Sequence, residues 1–140
     1  SFNAASAKYV LMKRAELWRA ECFEHVFFRI EEKTMEADTV DRFRGQLMTY
    51  IEPRLVRHGE KYPSKDHMYT YMTLICICEN GVSEEAAKKI RSFRYEKNYK
   101  LTLRGYSAAR ILIFDLKNMK LFGNRAAREL VKGYKKSGIL

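Results

Sequence analysis

The segment MYTYMTLICICE, residues 68–79, constrains the fold more than any other part of the chain. It is rich in β-branched and aromatic residues, which favour strands. Both of its alternating sets of side chains are largely apolar, which is typical of a strand that is covered on both faces. Asn80-Gly81 ends the run, and Ser83 is placed to cap a helix that starts at Glu84. We therefore predict a central strand that is followed by a basic helix from Glu84 to about Asn98.

The N-terminal part of the chain is more ambiguous. Residues 7–30 mix strand-forming and helix-forming stretches, so either two strands around a loop or turn at Leu17-Trp18, which we favour, or one long helix is compatible with them. Apolar residues then recur every three or four positions and predict a helix over 39–52, with Asp38 as its cap. Pro53 is expected to stop or kink this helix, because its ring clashes with the preceding turn.

The C-terminal part predicts a hairpin and a last helix. Residues 111–122 form two apolar runs with a turn at Lys117-Asn118, and a helix over 124–136 follows with Asn124 as its cap. Gly105 is expected to permit a backbone turn that other residues resist. The resulting order predicts one α+β domain over residues 1–140, with a mixed or antiparallel sheet of about five strands and three helices.

The composition limits the class of protein. A chain of 140 residues with 46% hydrophobic residues can build one ordinary core. No apolar run is long enough for a membrane span, and no signal-like segment opens the chain, so we expect a soluble cytoplasmic protein with no membrane partner. We interpret Ser1-Phe2-Asn3 as a cloning remnant and leave it out.

The three cysteines, Cys22, Cys76 and Cys78, are predicted to be buried reduced thiols. Two cysteines that are two residues apart on a strand seldom have disulfide geometry. A structural zinc site would need a second pair of ligands, which the sequence lacks. The three histidines, His25, His58 and His67, are scattered in the sequence and are expected to be structural. We predict no metal, no cofactor and no catalytic residue.

The net charge of +10 is unevenly distributed. Residues 1–60 contain ten basic and ten acidic side chains, whereas residues 61–140 contain seventeen basic and seven acidic ones. A basic half suggests an anionic partner. We therefore predict a non-catalytic module that binds nucleic acid or another polyanion, with Tyr95 and Tyr99 placed to stack on bases. The predicted anion-binding residues are Lys88, Arg91, Arg94, Lys97, Lys100 and Arg104. Arg125, Arg128, Lys132, Lys135 and Lys136 extend this surface if the last helix packs alongside.

Three alternatives stay open at this point. The basic helix is also compatible with a solvated face that has no partner, in which Arg and Lys stems cover apolar surface and the Tyr rings are buried. Exposed Tyr and Phe side chains over residues 9–30 would suit a protein-interaction or regulatory domain that self-associates. Asp115-Leu116-Lys117 has the acidic-x-Lys form found in metal-dependent nucleases, in which a carboxylate holds a divalent ion. The turn at Lys117-Asn118 would instead make Asp115 a turn-capping residue.

The motifs YTYMTLICIC, RGYSAARILIFDL and GNRAAREL resemble an uncharacterised prokaryotic domain family. This resemblance covers most of the chain and implies a single domain. It implies no activity, ligand or catalytic residue.

Overall fold

The computed structural model describes residues 7–17 and 20–140, and within the first strand it describes the side chains of residues 9–12. The interpretation of Ser1-Phe2-Asn3 as a remnant, and part of the expected turn at Leu17-Trp18, lie outside the described residues.

A mixed sheet of six strands forms the centre of the fold. Three long strands, β2, β3 and β5, run parallel, β1 pairs antiparallel with β2, and β4 and β6 pair antiparallel with different halves of β5. The strands are β1 (Ala7–Leu17), β2 (Ala20–Glu31), β3 (His67–Cys78), β4 (Glu96–Asn98), β5 (Tyr106–Asp115) and β6 (Lys120–Gly123). The α+β fold is confirmed, as are the two strands over residues 7–30.

Helices cover both faces of the sheet. The segments α1, a π-helix and α2 pack on one face, and α3 packs on part of the other. Within the described parts of the chain, none of the helices combines the length and the apolar character that crossing a bilayer requires. The helical segments are α1 (Ala37–Gln46), the π-helix (Leu47–Val56), α2 (Glu84–Arg91), a 3-10 turn (Arg125–Ala127) and α3 (Arg128–Lys136).

The central strand has the predicted place and environment. Met72, Leu74 and Cys76 of β3 pack under α1 and α2, while Ile75 packs on the opposite face. All three cysteines are free and buried, as predicted. Burial raises the pKa of Cys78 to about 12, so this thiol stays protonated at neutral pH and is a poor nucleophile.

Two predictions about the first helix need correction. Of the stop or kink expected at Pro53, the stop is wrong, because the helical chain continues to Val56 as a π-helix. The wider π turn accommodates a residue that has no backbone N–H, and the amide of Arg57 reaches the carbonyl of Glu52 at 3.2 Å, five residues back. Asp38 does not cap α1, because the N-cap is Glu36 and no side chain accepts a hydrogen bond there. Asp38 instead lies in the first turn and pairs with Arg42 at 3.5 Å.

The basic helix is shorter than predicted. Ser83 caps it as expected, since its hydroxyl accepts from the amide of Ala86 at 3.1 Å. However, α2 ends at Arg91, and residues 96–98 form β4, a strand that the sequence did not predict. The backbone there gains hydrogen-bond partners on the edge of β5, and the turn away from the helix buries Phe93 and Tyr99.

The C-terminal hairpin is confirmed, with β5 and β6 joined by a turn over residues 116–119. Gly105 also has its predicted role in the turn before β5. Its φ is +77°, and a Cβ at this position would lie 2.1 Å from the carbonyl oxygen of Met68. No side chain fits there, so β5 can start beside β3 only with glycine at this position.

Candidate anion-binding groove

A concave basic surface lies where the end of α2 meets β6, the 3-10 turn and α3. Three neighbouring depressions share Arg91 and have volumes of about 580, 540 and 510 Å³. We call this surface the Arg91 groove. Seven basic side chains line it against one carboxylate, that of Glu96. The basic residues are Arg91, Arg94, Lys120, Arg125, Arg128, Lys132 and Lys135.

Asn124 forms the floor of the groove. Neither β4 nor β6 pairs with the middle of β5, and the buried amide of Asn124 fills this gap. Its Oδ1 accepts from the amide of Ile111 at 2.9 Å, and its Nδ2 donates to the carbonyls of Ala109 and Phe93 at 3.0 and 3.2 Å. Asn124 does occupy an N-cap position, but its side chain makes no capping bond, so the predicted capping role is wrong. The amide instead replaces a missing stretch of strand.

Two arginines are oriented by aromatic rings at this site. The guanidinium carbon of Arg91 lies 4.5 Å from the centroid of the Phe122 ring, and that of Arg44 lies 4.3 Å from the Phe93 ring. Arg44 also donates to the carbonyl of Arg94 at 3.2 Å, which fixes the chain just after α2. Stacking restricts the rotamers of Arg91 without using its N–H donors, so these stay available to a ligand.

Most cations of the groove have no acidic partner in the part of the chain that the structure describes. This holds for five of the seven, which are Arg91, Lys120, Arg125, Arg128 and Lys135. Arg94 pairs with Glu96 at 3.4 Å and Lys132 with Glu129 at 3.5 Å, and all four side chains are at least half exposed. Pairs of this kind contribute little, so an anion could compete for these cations.

The six predicted anion-binding residues do not share one surface. Arg91 and Arg94 line the groove, whereas Lys97 lies 3.5 Å from the carboxylate of Glu52 and Arg104 donates to the carbonyl of Pro63 at 3.2 Å. Lys88 is exposed on α2, and Lys100 is exposed in the turn before β5. The grouping on one helix was wrong because α2 ends at Arg91. Arg125, Arg128, Lys132 and Lys135, which we considered as an extension, line the groove, and Lys120 was missed.

Tyr99 is not available for stacking, because it is buried in what we call the Glu52 cluster (Glu52, Arg57, Lys97, Tyr99 and Ser107). Glu52 accepts two hydrogen bonds from Arg57, at 2.7 and 2.9 Å, and one from Tyr99 at 2.8 Å. Since the Tyr99 proton goes to Glu52, the Ser107 hydroxyl donates to the Tyr99 oxygen at 2.8 Å. Burial alone would raise the pKa of Glu52, but the bonds from Arg57 and Tyr99 and the charge of Lys97 lower it. The cluster joins the π-helix to β5.

A second buried ion pair lies on the face of the sheet that carries α3. Arg110 of β5 contacts the carboxylate of Glu24 of β2, and the hydroxyl of Thr73 donates to the same carboxylate at 2.6 Å. The Arg110 guanidinium carbon lies 4.0 Å from the centroid of the Tyr71 ring. We did not single out this pair from the sequence, because 86 positions separate its members and only strand pairing brings them together.

All three histidines line one small cavity of about 100 Å³ beside β1, β2 and the end of the π-helix. His67 donates through Nδ1 to the carbonyl of Arg104 at 2.7 Å, and its Nε2 lies 2.7 Å from the Thr70 hydroxyl. His25 Nδ1 lies 2.6 Å from the Tyr9 hydroxyl. Burial, with a smaller effect of His58, lowers the pKa of His25 to about 4. Positions 25, 58 and 67 are too far apart in the chain for this convergence to be predicted from their spacing.

Asp115 has the geometry of a turn-capping residue. Its two carboxylate oxygens accept from the backbone and side-chain amides of Asn118, at 3.0 and 2.9 Å. Lys117 is exposed in the same turn. Within residues 7–17 and 20–140, no group of three or more potential ligands among His, Cys, Asp and Glu is arranged to hold a metal ion. The hydrolase alternative stays an untested prediction.

Comparisons with known proteins identify the family. No curated protein and no solved structure matches the chain. A family model described as Domain of unknown function (DUF8052) matches residues 1–136. Since this match spans nearly the whole chain, the protein belongs to that family.

Proposed function

We propose that this protein binds a polyanion, with nucleic acid as the expected class, through the Arg91 groove and without a catalytic step. The observation that carries the proposal is the convergence of seven basic side chains on one concave surface, where Glu96 is the one acidic side chain among the lining residues. A cation that serves the fold is paired closely instead, as Arg57 is with Glu52 at 2.7 Å. In the groove, cations without a partner among the described residues converge on one concave surface.

The chemistry of the groove suits phosphate groups. Four of its seven cations are arginines, whose planar donors match phosphate oxygens in pairs. Arg91 is held in place by the Phe122 ring, so less rotamer entropy is lost when it binds. Because three adjoining depressions share Arg91, several phosphates of one strand could be contacted together. Such contacts provide affinity that depends on salt and little on base sequence.

The proposal includes a cytoplasmic location. All three cysteines are free, and a reducing compartment keeps thiols in that state.

The test is a fluorescence-anisotropy titration of labelled single-stranded and double-stranded DNA and RNA at two salt concentrations. The first variant changes Arg91, Arg94 and Arg125 to Glu, which lowers the net charge from +10 to +4. We expect wild-type affinity to fall steeply with salt, since each neutralised phosphate contributes a slope of about −0.9 in B-DNA. The variant should lose binding.

The matched control changes Lys33, Lys61 and Lys65 to Glu, which gives the same net charge at exposed positions outside the groove. If binding follows the groove rather than the overall charge, this control retains most of the wild-type affinity. Equal losses in the two variants would contradict the assignment to the groove. No binding by the wild-type protein at low salt would contradict the proposed function itself.

A further inference from the structure

The two outer edges of the sheet differ in whether their backbone hydrogen-bonding groups have partners. On the β5 side, two short strands and the Asn124 amide occupy the edge, and basic side chains surround it. On the opposite side, β1 runs for 11 residues, and no strand of the described chain pairs with its outer edge. A long unpaired edge carries a row of free backbone donors and acceptors that can pair with another strand.

The β1 edge is also unusually apolar. Among the described residues, seven of the fourteen large hydrophobic side chains that are exposed lie on β1, β2 or the start of the π-helix. They are Tyr9, Val10, Leu11, Phe28, Ile30, Met48 and Tyr50. Tyr9 and Leu11 point to the face that carries α1 and the π-helix, with exposures of 47% and 52%, and Val10 points to the face that carries α3, with 43%. The strand therefore offers apolar contacts on both faces.

The charge pattern favours an identical partner over a charged one. The run Tyr9–Met12 contains no charge, and residues 1–60 have equal numbers of acidic and basic side chains. Native edge strands are usually protected by charged residues or proline, and the charged residues of β1 (Lys8, Lys13, Arg14 and Glu16) all lie outside this run. The strand is also compatible with itself in antiparallel register. A two-fold axis at Val10 sets Tyr9 opposite Leu11 of the other copy and Lys8 opposite Met12, so no like charges oppose each other.

We propose that a second copy of this chain binds here, through antiparallel β1–β1 pairing about a two-fold axis at Val10. The two sheets then join into one continuous sheet. Burial, with a smaller effect of Tyr50, raises the pKa of Tyr9, so exposed Tyr50 of the π-helix lies near this edge. The two Arg91 grooves lie at the far ends of the joined sheet. The pairing does not depend on the proposed polyanion binding.

The test measures mass by light scattering or sedimentation over a range of protein concentrations. We expect a concentration-dependent dimer for the wild-type chain. Val10→Lys would bring two like charges together at the axis and should weaken association by at least about a hundredfold. The control Leu101→Lys adds the same charge at a side chain that is 92% exposed in the turn before β5, and it should leave association unchanged. Circular dichroism confirms that both variants are folded.

A cysteine cross-link tests the register. Val10→Cys places two thiols opposite each other across the axis, at a Cβ separation of roughly 5 Å, and should form an intermolecular disulfide on mild oxidation. The native cysteines are buried and should not compete, and Leu101→Cys should not cross-link. A wild-type chain that stays monomeric at every concentration would overturn the proposal. A dimer that survives Val10→Lys would overturn the β1–β1 assignment, and one that fails to cross-link through Val10→Cys would overturn the two-fold axis at Val10.

Discussion

The Glu52 cluster and the Arg91 groove both hold arginines, but they use them in opposite ways. In the Glu52 cluster, Arg57 donates two hydrogen bonds to the carboxylate of Glu52, and Tyr99 donates a third. Glu52 is 1% exposed. In the groove, exposed Arg91 rests on the Phe122 ring and has no acidic partner among the described residues. The first arginine stabilises the fold, whereas the second contributes charge to a surface.

The difference shows how function can be inferred for a basic protein. A buried cation must be paired, because removing a charge from water is costly. An exposed cation has no such requirement, so the lack of a partner alone says nothing about its role. What we propose to explain by an anionic ligand is the convergence of seven cations in one concavity.

The largest expected effect is on the free energy of unfolding, through the buried Glu52 cluster. Glu52→Gln removes the charge that Arg57 pairs with, and we expect the free energy of unfolding to fall by about 3 kcal/mol, as when one partner of a buried pair is removed. Urea denaturation measures the loss. Asp41→Asn, which breaks the exposed pair with Lys89, should leave the urea midpoint nearly unchanged. Equal effects of the two substitutions would contradict the distinction between structural and exposed pairs.

Asn124→Ala tests whether Asn124, at the floor of the groove, stabilises the fold and takes no part in ligand binding. The substitution leaves the buried amide of Ile111 and two carbonyls without partners, so we expect a loss of about 2–3 kcal/mol in urea denaturation. Under conditions where the variant is folded, its polyanion affinity should remain near that of the wild type. A stable variant that no longer binds would instead make Asn124 a ligand-binding residue.

Acid should weaken the folded core before it affects the cations of the groove. The pKa of His25 is about 4 in the folded protein, below its ordinary value of 6.5, and burial also lowers the pKa of His67. Between pH 6.5 and about 4, the unfolded chain therefore binds protons that the folded protein does not, and stability falls as pH falls through this window. Thermal unfolding at a series of pH values measures the slope.

His25→Gln is the control for this titration, because it removes the buried imidazole and should flatten the slope. Polyanion affinity of the folded protein should change little over the same window, since arginine and lysine stay charged. A slope that is the same in the variant would show that other groups cause the acid sensitivity.

The smallest expected effect on stability comes from the groove itself. Arg91→Ala should change the free energy of unfolding by no more than about 0.5 kcal/mol, as is usual for exposed positions. It should still weaken polyanion binding and reduce the salt slope by about 1 for each phosphate that Arg91 neutralises in the wild-type complex. Arg91→Lys keeps the charge but removes the stacked planar fork, so its affinity should lie between those of the wild type and Arg91→Ala. Unchanged binding in Arg91→Ala would remove this residue from the site.

Local sequence patterns determined several features of this protein. The two apolar faces of β3, the Ser83 cap and the turn at Lys117-Asn118 all depend on residues that are near one another in the chain. Propensity, capping and side-chain alternation act over a few residues, so these features could be predicted. The basic excess of residues 61–140 also followed directly from the sequence.

Only the tertiary structure decided the rest, because the deciding contacts join distant segments. The end of α2 at Arg91 depends on β5, which offers an edge for β4. The continuation of the helix past Pro53 depends on Glu52, which accepts hydrogen bonds from Arg57. The burial of Tyr99 depends on the same carboxylate, 47 positions away in the chain. The groove likewise forms where α2, β6 and α3 meet, so the sequence predicted an excess of positive charge, and the fold determined which cations share a surface.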